Sequence, residues 1–289
     1  MKVLLLSSKP PFPTIDGGCY ASARLIQNLA KTNLEVKHLT ISTKKHPFEV
    51  DFYPKKTVEQ MKIENITDVF FDLDHTLWDF DKNSSLTFQK IFELNQVEVN
   101  ISEFLSFYEP INLNYWKLYR EEKIDKASLR YGRLNDAFMA INKVIEREKI
   151  IKLSEDYITH LTSFNNLFEN TVDVLEYLSV KYNLHIITNG FEEVQQKKLT
   201  QSNIDHYFKT VTNSEQVGVK KPNPKIFNYA IEVAKTNVKR SVMIGDNYEA
   251  DILGAKNIGM DTIFFNISNH SNEHKIKQIN NLIQLKTYL

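Results

Sequence analysis

Asp68-Val69-Phe70-Phe71-Asp72-Leu73-Asp74-His75-Thr76 is the stretch on which the fold turns. A short apolar run closing in acids reads as a buried strand, Asp68–Leu73, whose end leaves the sheet carrying carboxylates. In an open parallel sheet, ligands bind beyond the carboxyl ends of the strands. Two Asp separated by one residue at such an end point roughly the same way once the chain turns out. One can then attack phosphorus while the other handles the leaving-group proton. The competing reading is an Asx-type turn with a capping Asp and Thr.

Working outward, the stretch from about 170 onward alternates strands and helices. Strands are expected at His185–Thr188, Phe208–Thr212, Ser241–Gly245 and Asp261–Phe265, with helical runs near 172–181, 191–201, 224–235 and 248–257. Such alternation predicts an α/β fold, a Rossmann-like parallel sheet covered by helices on both faces. Between the first strand and this part, residues 79–168 read as almost continuous helix. One apolar face runs through Phe104, Phe107, Tyr108, Ile111, Tyr115 and Leu118, with Pro110 expected to kink or break it.

Three further strand ends carry polar groups. Thr188-Asn189-Gly190 offers a hydroxyl and backbone amides suited to a phosphate oxygen. Gly218-Val219-Lys220-Lys221-Pro222 offers a lysine beside a proline that is expected to open the next helix. Gly245-Asp246-Asn247, with Asp251 five residues beyond Asp246, adds carboxylates. With Asp72 they compose a hard-oxygen site fitted to Mg²⁺. Asp251 also reads as an acid at a helix N-terminus.

These four segments, in this order and each at an expected strand end, resemble the haloacid-dehalogenase superfamily from about Met61 to Leu289. The resemblance implies that Asp72 is the nucleophile, Asp74 the general acid/base and Thr188 with Asn189 and Gly190 the phosphate holders. It implies Lys221 as the stabilising cation, Lys220 remaining the other choice, and a metal set drawn from Asp72, Asp74, Asp246 and Asp251. The second Asp favours phosphoryl transfer over carbon–halogen cleavage. Residues 67–78 with 169–289 become the catalytic core, and 79–168 a helical cap that excludes water and selects small substrates.

The phrases Asp72 to Phe80 (DLDHTLWDF), Asn114-Tyr115-Trp116-Lys117, Leu129-Arg130-Tyr131-Gly132-Arg133 and Thr188-Asn189-Gly190-Phe191 are similar to bacterial 5′-nucleotidases acting on pyrimidine nucleotides. Trp78, Trp116, Arg120, Arg130 and Arg133 are then candidates to contact base, sugar or phosphate, with plain cap packing as the alternative. The expected reaction is Mg²⁺-dependent hydrolysis of a nucleoside 5′-monophosphate through an aspartyl-phosphate. The alternative enzyme is a sugar-phosphate phosphatase or phosphomutase.

Residues 1–56 start afresh, with a strand Lys2–Ser7, a Pro-rich loop, Gly17-Gly18, a helical run through Ala21, Leu25, Leu29 and Ala30, and a strand Val36–Thr40. A lone βαβ unit cannot cover its own sheet. This partial βαβ appendage resembles the opening of two-domain glycosyltransferases, and residues 57–66 read as a linker. From it comes a reading of another class, a nucleotide-sugar-binding or glycosyltransfer module with the phosphatase part as structural partner.

Lys plus Arg and Asp plus Glu are both 36, so a nucleic-acid polymer or acidic membrane is not favoured as partner, whereas a small phosphorylated metabolite needs only local positive charge. Cys19, the single cysteine, excludes an internal disulfide. No apolar run reaches the roughly 20 residues of a membrane span. A cytoplasmic monomer or homodimer is expected.

Overall fold

The computed structural model describes residues 2–7, 35–40, 63–267 and 276–289. The helix expected through Ala21 to Ala30, and most of the linker, lie outside the described residues. The chain divides into two compact units, one of Met1–Glu64 with Ile283–Leu289 and one of Asn65–Leu282. In the first, β1 (Lys2–Ser7) and β2 (Glu35–Thr40) pair in parallel, Lys2 opposite Glu35.

The second unit is built on a six-stranded parallel sheet. Its strands are β3 (Asp68–Phe71), β4 (Asn183–Thr188), β5 (Phe208–Asn213), β6 (Ser241–Gly245), β7 (Asp261–Phe265) and β8 (Gln278–Ile279). Their order is β5-β4-β3-β6-β7-β8, every pair parallel. All four residues of β3 are buried, so the strand is covered on both faces and its apolar run is continuous rather than alternating. The order reverses at β3, whose neighbours β4 and β6 lead off to opposite sides. That is the switch point at which a crevice opens beyond the strand ends. The strand ends two residues earlier than expected, because the Leu73 carbonyl accepts from the amides of Leu77 and Trp78 and turns the chain out of the sheet.

One face of the sheet packs Phe70, Ile187 and Met243 against Ile226, Phe227 and Ala230 of a helix at Pro224–Val233. That helix opens at Pro224, not at Pro222 as expected. Asn223 is its cap, accepting from the Lys225 amide, and Pro222 follows a cis peptide in the preceding turn.

The near-continuous helix expected over 79–168 is four helices: α1 (Phe80–Leu94), α2 (Ile101–Arg120), α3 (Lys126–Ala140) and α4 (Arg147–His160). Three of the starts are set by side-chain caps, with Asp79, Asn100 and Asp125 accepting from the Lys82, Glu103 and Ser128 amides. Pro110 does not break α2. It lies on an exposed face, where solvent can serve the carbonyl that its missing N–H would have bonded. The buried stripe of α2 also differs from expectation, running through Phe104, Tyr108, Asn112 and Tyr119, with Phe107 exposed. Phe88, Phe92, Phe104, Tyr108, Phe138 and Tyr157 pack ring on ring as the core of this helical part, Phe88 lying 4.5 Å from Tyr108 and 4.7 Å from Tyr157 between centroids. Each such ring removes some 150–250 Å² from water, which lets these four helices hold their packing. Its entry and exit run side by side, Asp79 donating to Asn166 O and Phe168 to Leu77 O.

Candidate active site

Asp72 is the first residue beyond β3, and its amide donates to the Ile244 carbonyl of β6 at 2.9 Å. Asp246 is the first residue beyond β6. Asp251 follows on a widened helical turn, Tyr248–Leu253, where its carboxylate folds back to accept from the Asn247 amide at 3.0 Å. Such π-type turns are frequent at functional sites. Each of the three carboxylates offers an oxygen within 4.8 Å of the others.

Lys221 sits in this group, 2% exposed, its Nζ 2.6 Å from Asp72 Oδ1, 2.7 Å from Asp251 Oδ1 and 2.7 Å from the Ile187 carbonyl. Lys220 instead lies 4.1 Å over the Tyr119 ring at the cavity wall. The choice is made by backbone bonding: the Asn189 side chain accepts from the Lys221 amide and donates to its carbonyl. The Asn189 amide therefore seats the lysine.

Burial raises the Asp72 carboxyl well above its ordinary range, with Asp251 and Asp246 adding to the rise and Lys221 opposing it. Burial, then the Asp251 charge, likewise raise Asp246 to about 7. Three hard-oxygen acids crowded around a single ammonium form an under-neutralised set. That repulsion is what a divalent cation relieves, so the residues present fit Mg²⁺. Thr76 joins the cluster although the sequence marks it only as a capping residue. Fully buried, it donates to Asp246 Oδ1 and accepts from the Asp246 amide, both at 3.1 Å.

The Asp74 side chain lies apart from this three-carboxylate cluster. Its Oδ1 is 2.5 Å from Lys198 Nζ, and its Oδ2 accepts from Gln195 Nε2 at 3.0 Å. Gln195 also donates to Thr188 Oγ1 at 2.6 Å, and that oxygen accepts from the Gly190 amide at 3.1 Å. With both acceptor positions of the hydroxyl used, the Thr188 proton is the part left to donate elsewhere. Lys198 and Gln195 lie on one face of a helix at Glu192–Gln201, and no sequence motif singles them out. Their signal is weak: the stripe of that helix holds just two apolar residues, Val194 and Leu199, and these two polar residues complete it.

Asp72, Asp74, Thr188, Asn189, Gly190, Lys221, Asp246 and Asp251 line one cavity of about 300 Å³. Its other wall comes from α2 through Asn112, Trp116, Tyr119 and Arg120, with His75 and Phe80 beside them. Trp78 and Arg130 do not line it. Trp78 is wholly buried, its backbone bridged to Asp74 and Leu167 and its ring 4.4 Å beneath Lys198 Nζ. Arg130 makes a close ion pair with Glu193 and lies 4.6 Å over the Phe191 ring, clasping α3 to the sheet part. An aromatic or an arginine in a sequence does not reveal which way it faces, and here both serve packing.

Over residues 69–265 the chain matches the family described as haloacid dehalogenase-like hydrolase. It is 34% identical over 199 residues to pyrimidine 5′-nucleotidase YjjG of Escherichia coli, covering 68% of this chain and 85% of that one. It is 36% identical over 203 residues to a glyceraldehyde 3-phosphate phosphatase of Methanothermobacter thermautotrophicus, covering 68% and 84%. Among solved structures, the magnesium-bound HAD-hydrolase YfnB of Bacillus subtilis superposes with a TM-score of 0.70 at 25% identity, covering 77% of this chain and 97% of that one. Among the described residues no helix is long and apolar enough to cross a membrane.

Proposed function

The chain belongs to the haloacid dehalogenase-like hydrolases, and from that premise we propose that it hydrolyses nucleoside 5′-monophosphates, pyrimidine nucleotides foremost, through an aspartyl-phosphate on Asp72. The observation that carries the reading is the gathering of Asp72, Asp246, Asp251 and Lys221 in one cavity with Asp74 at its side.

A carboxylate attacking a phosphate dianion meets like charge, so catalysis rests on neutralisation and alignment. Mg²⁺ held by Asp72, Asp246 and Asp251 would supply much of that neutralisation and polarise the phosphoryl group. Lys221 supplies a fixed cation at the nucleophile. The Thr188 hydroxyl and the Asn189 backbone amide in the turn after it offer donors to phosphoryl oxygens. Asp72 forms the new bond to phosphorus as the ester oxygen departs, and Asp74 gives that oxygen its proton. Water then attacks the aspartyl-phosphate, Asp74 takes up the proton, and Asp72 is regenerated with release of phosphate.

A nucleotide is favoured over a three-carbon phosphate by the wall of the cavity. Trp116, Tyr119 and Phe80 present aromatic surface suited to a planar ring. The likeness to the glyceraldehyde 3-phosphate phosphatase keeps a second reading in view. Phosphate release should be compared across nucleoside monophosphates, ribose 5-phosphate and glyceraldehyde 3-phosphate, with Mg²⁺ and with chelator. Pyrimidine nucleotides should lead, and both chelation and Asp72→Asn should abolish turnover. Full activity in chelator, multiple turnovers by Asp72→Asn, or preference for the three-carbon substrate would overturn the reading.

A further inference from the structure

We propose that Asn112 is a specificity residue whose side-chain amide N–H₂ donates to a carbonyl oxygen of the departing group. Within the nucleotidase reading, on which this rests, that oxygen is a ring carbonyl of the pyrimidine base.

Asn112 lies in the middle of α2, on the buried stripe shared with Phe104 and Tyr108. An asparagine there is neither a good helix former nor an apolar packing group, so its placement needs a reason. It is 5% exposed and lines the active-site cavity. Its Oδ1 accepts from Arg133 Nη1 at 2.8 Å and from the Tyr108 hydroxyl at 3.4 Å.

Arg133 on α3 is 2% exposed, and no carboxylate among the described residues lies within ion-pair distance of it. Desolvating a guanidinium without an acid is costly. The rings of Tyr157 and Tyr108, at 5.1 and 5.9 Å, offset part of that cost. A guanidinium can donate but never accept. It therefore allows one orientation of the Asn112 amide, oxygen toward Arg133 and nitrogen away. The Nδ2 group makes no hydrogen bond among the described residues, and it is not sealed from the cavity that Asn112 lines. Arg133 thus holds a neutral donor on the wall opposite the carboxylates.

A fixed neutral donor selects an acceptor. The phosphate already faces cations, so the complementary atom belongs to the leaving group. An aromatic wall of Trp116 and Phe80 beside a neutral amide donor suits a flat ring that bears a carbonyl, as every pyrimidine base does.

Asn112→Asp tests this with little risk to the fold, because the new carboxylate keeps the shape and gives Arg133 an acid. Thermal midpoints of both proteins should agree, or the variant should be the more stable. The deciding quantity is kcat/KM for uridine 5′-monophosphate relative to ribose 5-phosphate, which lacks the base. In the variant that ratio should fall by about tenfold or more, since a donor has become an acceptor facing an acceptor. If cytidine 5′-monophosphate falls equally, the carbonyl is the one common to both bases. If it gains instead, the carbonyl is the one where cytosine carries an amino group. A parent protein that prefers the uridine nucleotide, with a variant keeping the same ratio, would overturn the role of Asn112 and leave the nucleotidase reading standing. A parent that handles ribose 5-phosphate as well as the nucleotide would overturn both.

Discussion

Gly245 closes β6 one residue ahead of Asp246, and a single methyl group there would test how much the activity depends on where Asp251 sits. A Cβ built on Gly245 meets Asp251 at Oδ2, Cγ and Cβ, at 2.3, 2.5 and 2.6 Å. The carboxylate oxygen could swing aside, but the Asp251 Cβ cannot move without its backbone. Restoring an ordinary carbon–carbon contact of about 3.5 Å requires that Cβ to retreat by about 0.9 Å. Asp251 is tied to the Asn247 amide at 3.0 Å and to Lys221 Nζ at 2.7 Å, so the retreat either strips the lysine from Asp72 or opens the carboxylate cluster. A misplacement of about 1 Å costs on the order of 10²-fold in rate, which is about 2.7 kcal/mol of transition-state stabilisation. The same overcrowding costs about 1–3 kcal/mol of fold stability, less than the roughly 5–15 kcal/mol that a domain of ordinary stability has. Gly245→Ala should therefore remain folded, lose about two orders of magnitude in kcat/KM and need more Mg²⁺ for half-maximal activation. Thermal melts paired with phosphate release across a Mg²⁺ titration measure all three. A folded variant within twofold of the parent in both kcat/KM and Mg²⁺ requirement would refute the reasoning.

Lys198→Met removes the ammonium that holds Asp74 Oδ1 and leaves Gln195 as its remaining contact, so kcat should fall at least about tenfold for alkyl phosphates. The loss should be smaller for p-nitrophenyl phosphate, whose leaving group scarcely needs a proton, and equal losses on the two substrates would contradict a role through Asp74. A third expectation concerns acid stability. His185, 1% exposed between Asp68 at 3.1 Å and Thr210 at 2.8 Å, has its pKa lowered from 6.5 because burial outweighs the pull of Asp68. A group whose folded pKa is depressed in this way is bound neutral, so its contribution is complete above 6.5 and is lost as pH falls below that value toward the folded pKa. For Asp68, burial raises the pKa, but hydrogen bonds from Thr236, Thr67, His185 and Asn183 outweigh it and lower the value from 3.8, so its own contribution disappears only at more acid pH. The raised carboxyls of Asp72 and Asp246 gain stability as pH falls through the same window, so the His185 effect is read as a difference. Between about pH 6.5 and 5 the denaturant midpoint of the parent should fall relative to that of His185→Gln, and a difference between the two that stays constant across that window would count against this account.

What can be read from the sequence, and what cannot, follows from the difference between strand ends and helix faces. Phe70, Phe71, Ile187, Met243 and Ile244 are buried on both sides of the sheet, so their strands are nearly pure apolar runs and a polar residue at the end of each stands out. Asp72, Thr188 and Asp246 are visible for that reason, and parallel pairing with β3 in the centre is enough to bring them together. Helix residues carry no such punctuation. Gln195, Lys198 and Asn112 lie on buried helix stripes that the apolar spacing does not mark, the spacing in α2 running instead through Phe107, Ile111 and Tyr115, and their burial beside Asp74, Thr188 and Arg133 depends on packing partners elsewhere in the chain. The same blindness runs the other way for Trp78 and Arg130, whose chemistry suits a ligand but whose partners, Lys198 and Glu193, are protein. A charged or amide side chain on the inner stripe of a polar helix is expensive to bury and so calls for a partner, which makes it the more informative anomaly. Applied to α2 and to Glu192–Gln201, that test singles out Asn112, Gln195 and Lys198. These are the groups around Asp74 and the cavity wall that the motif segments do not contain.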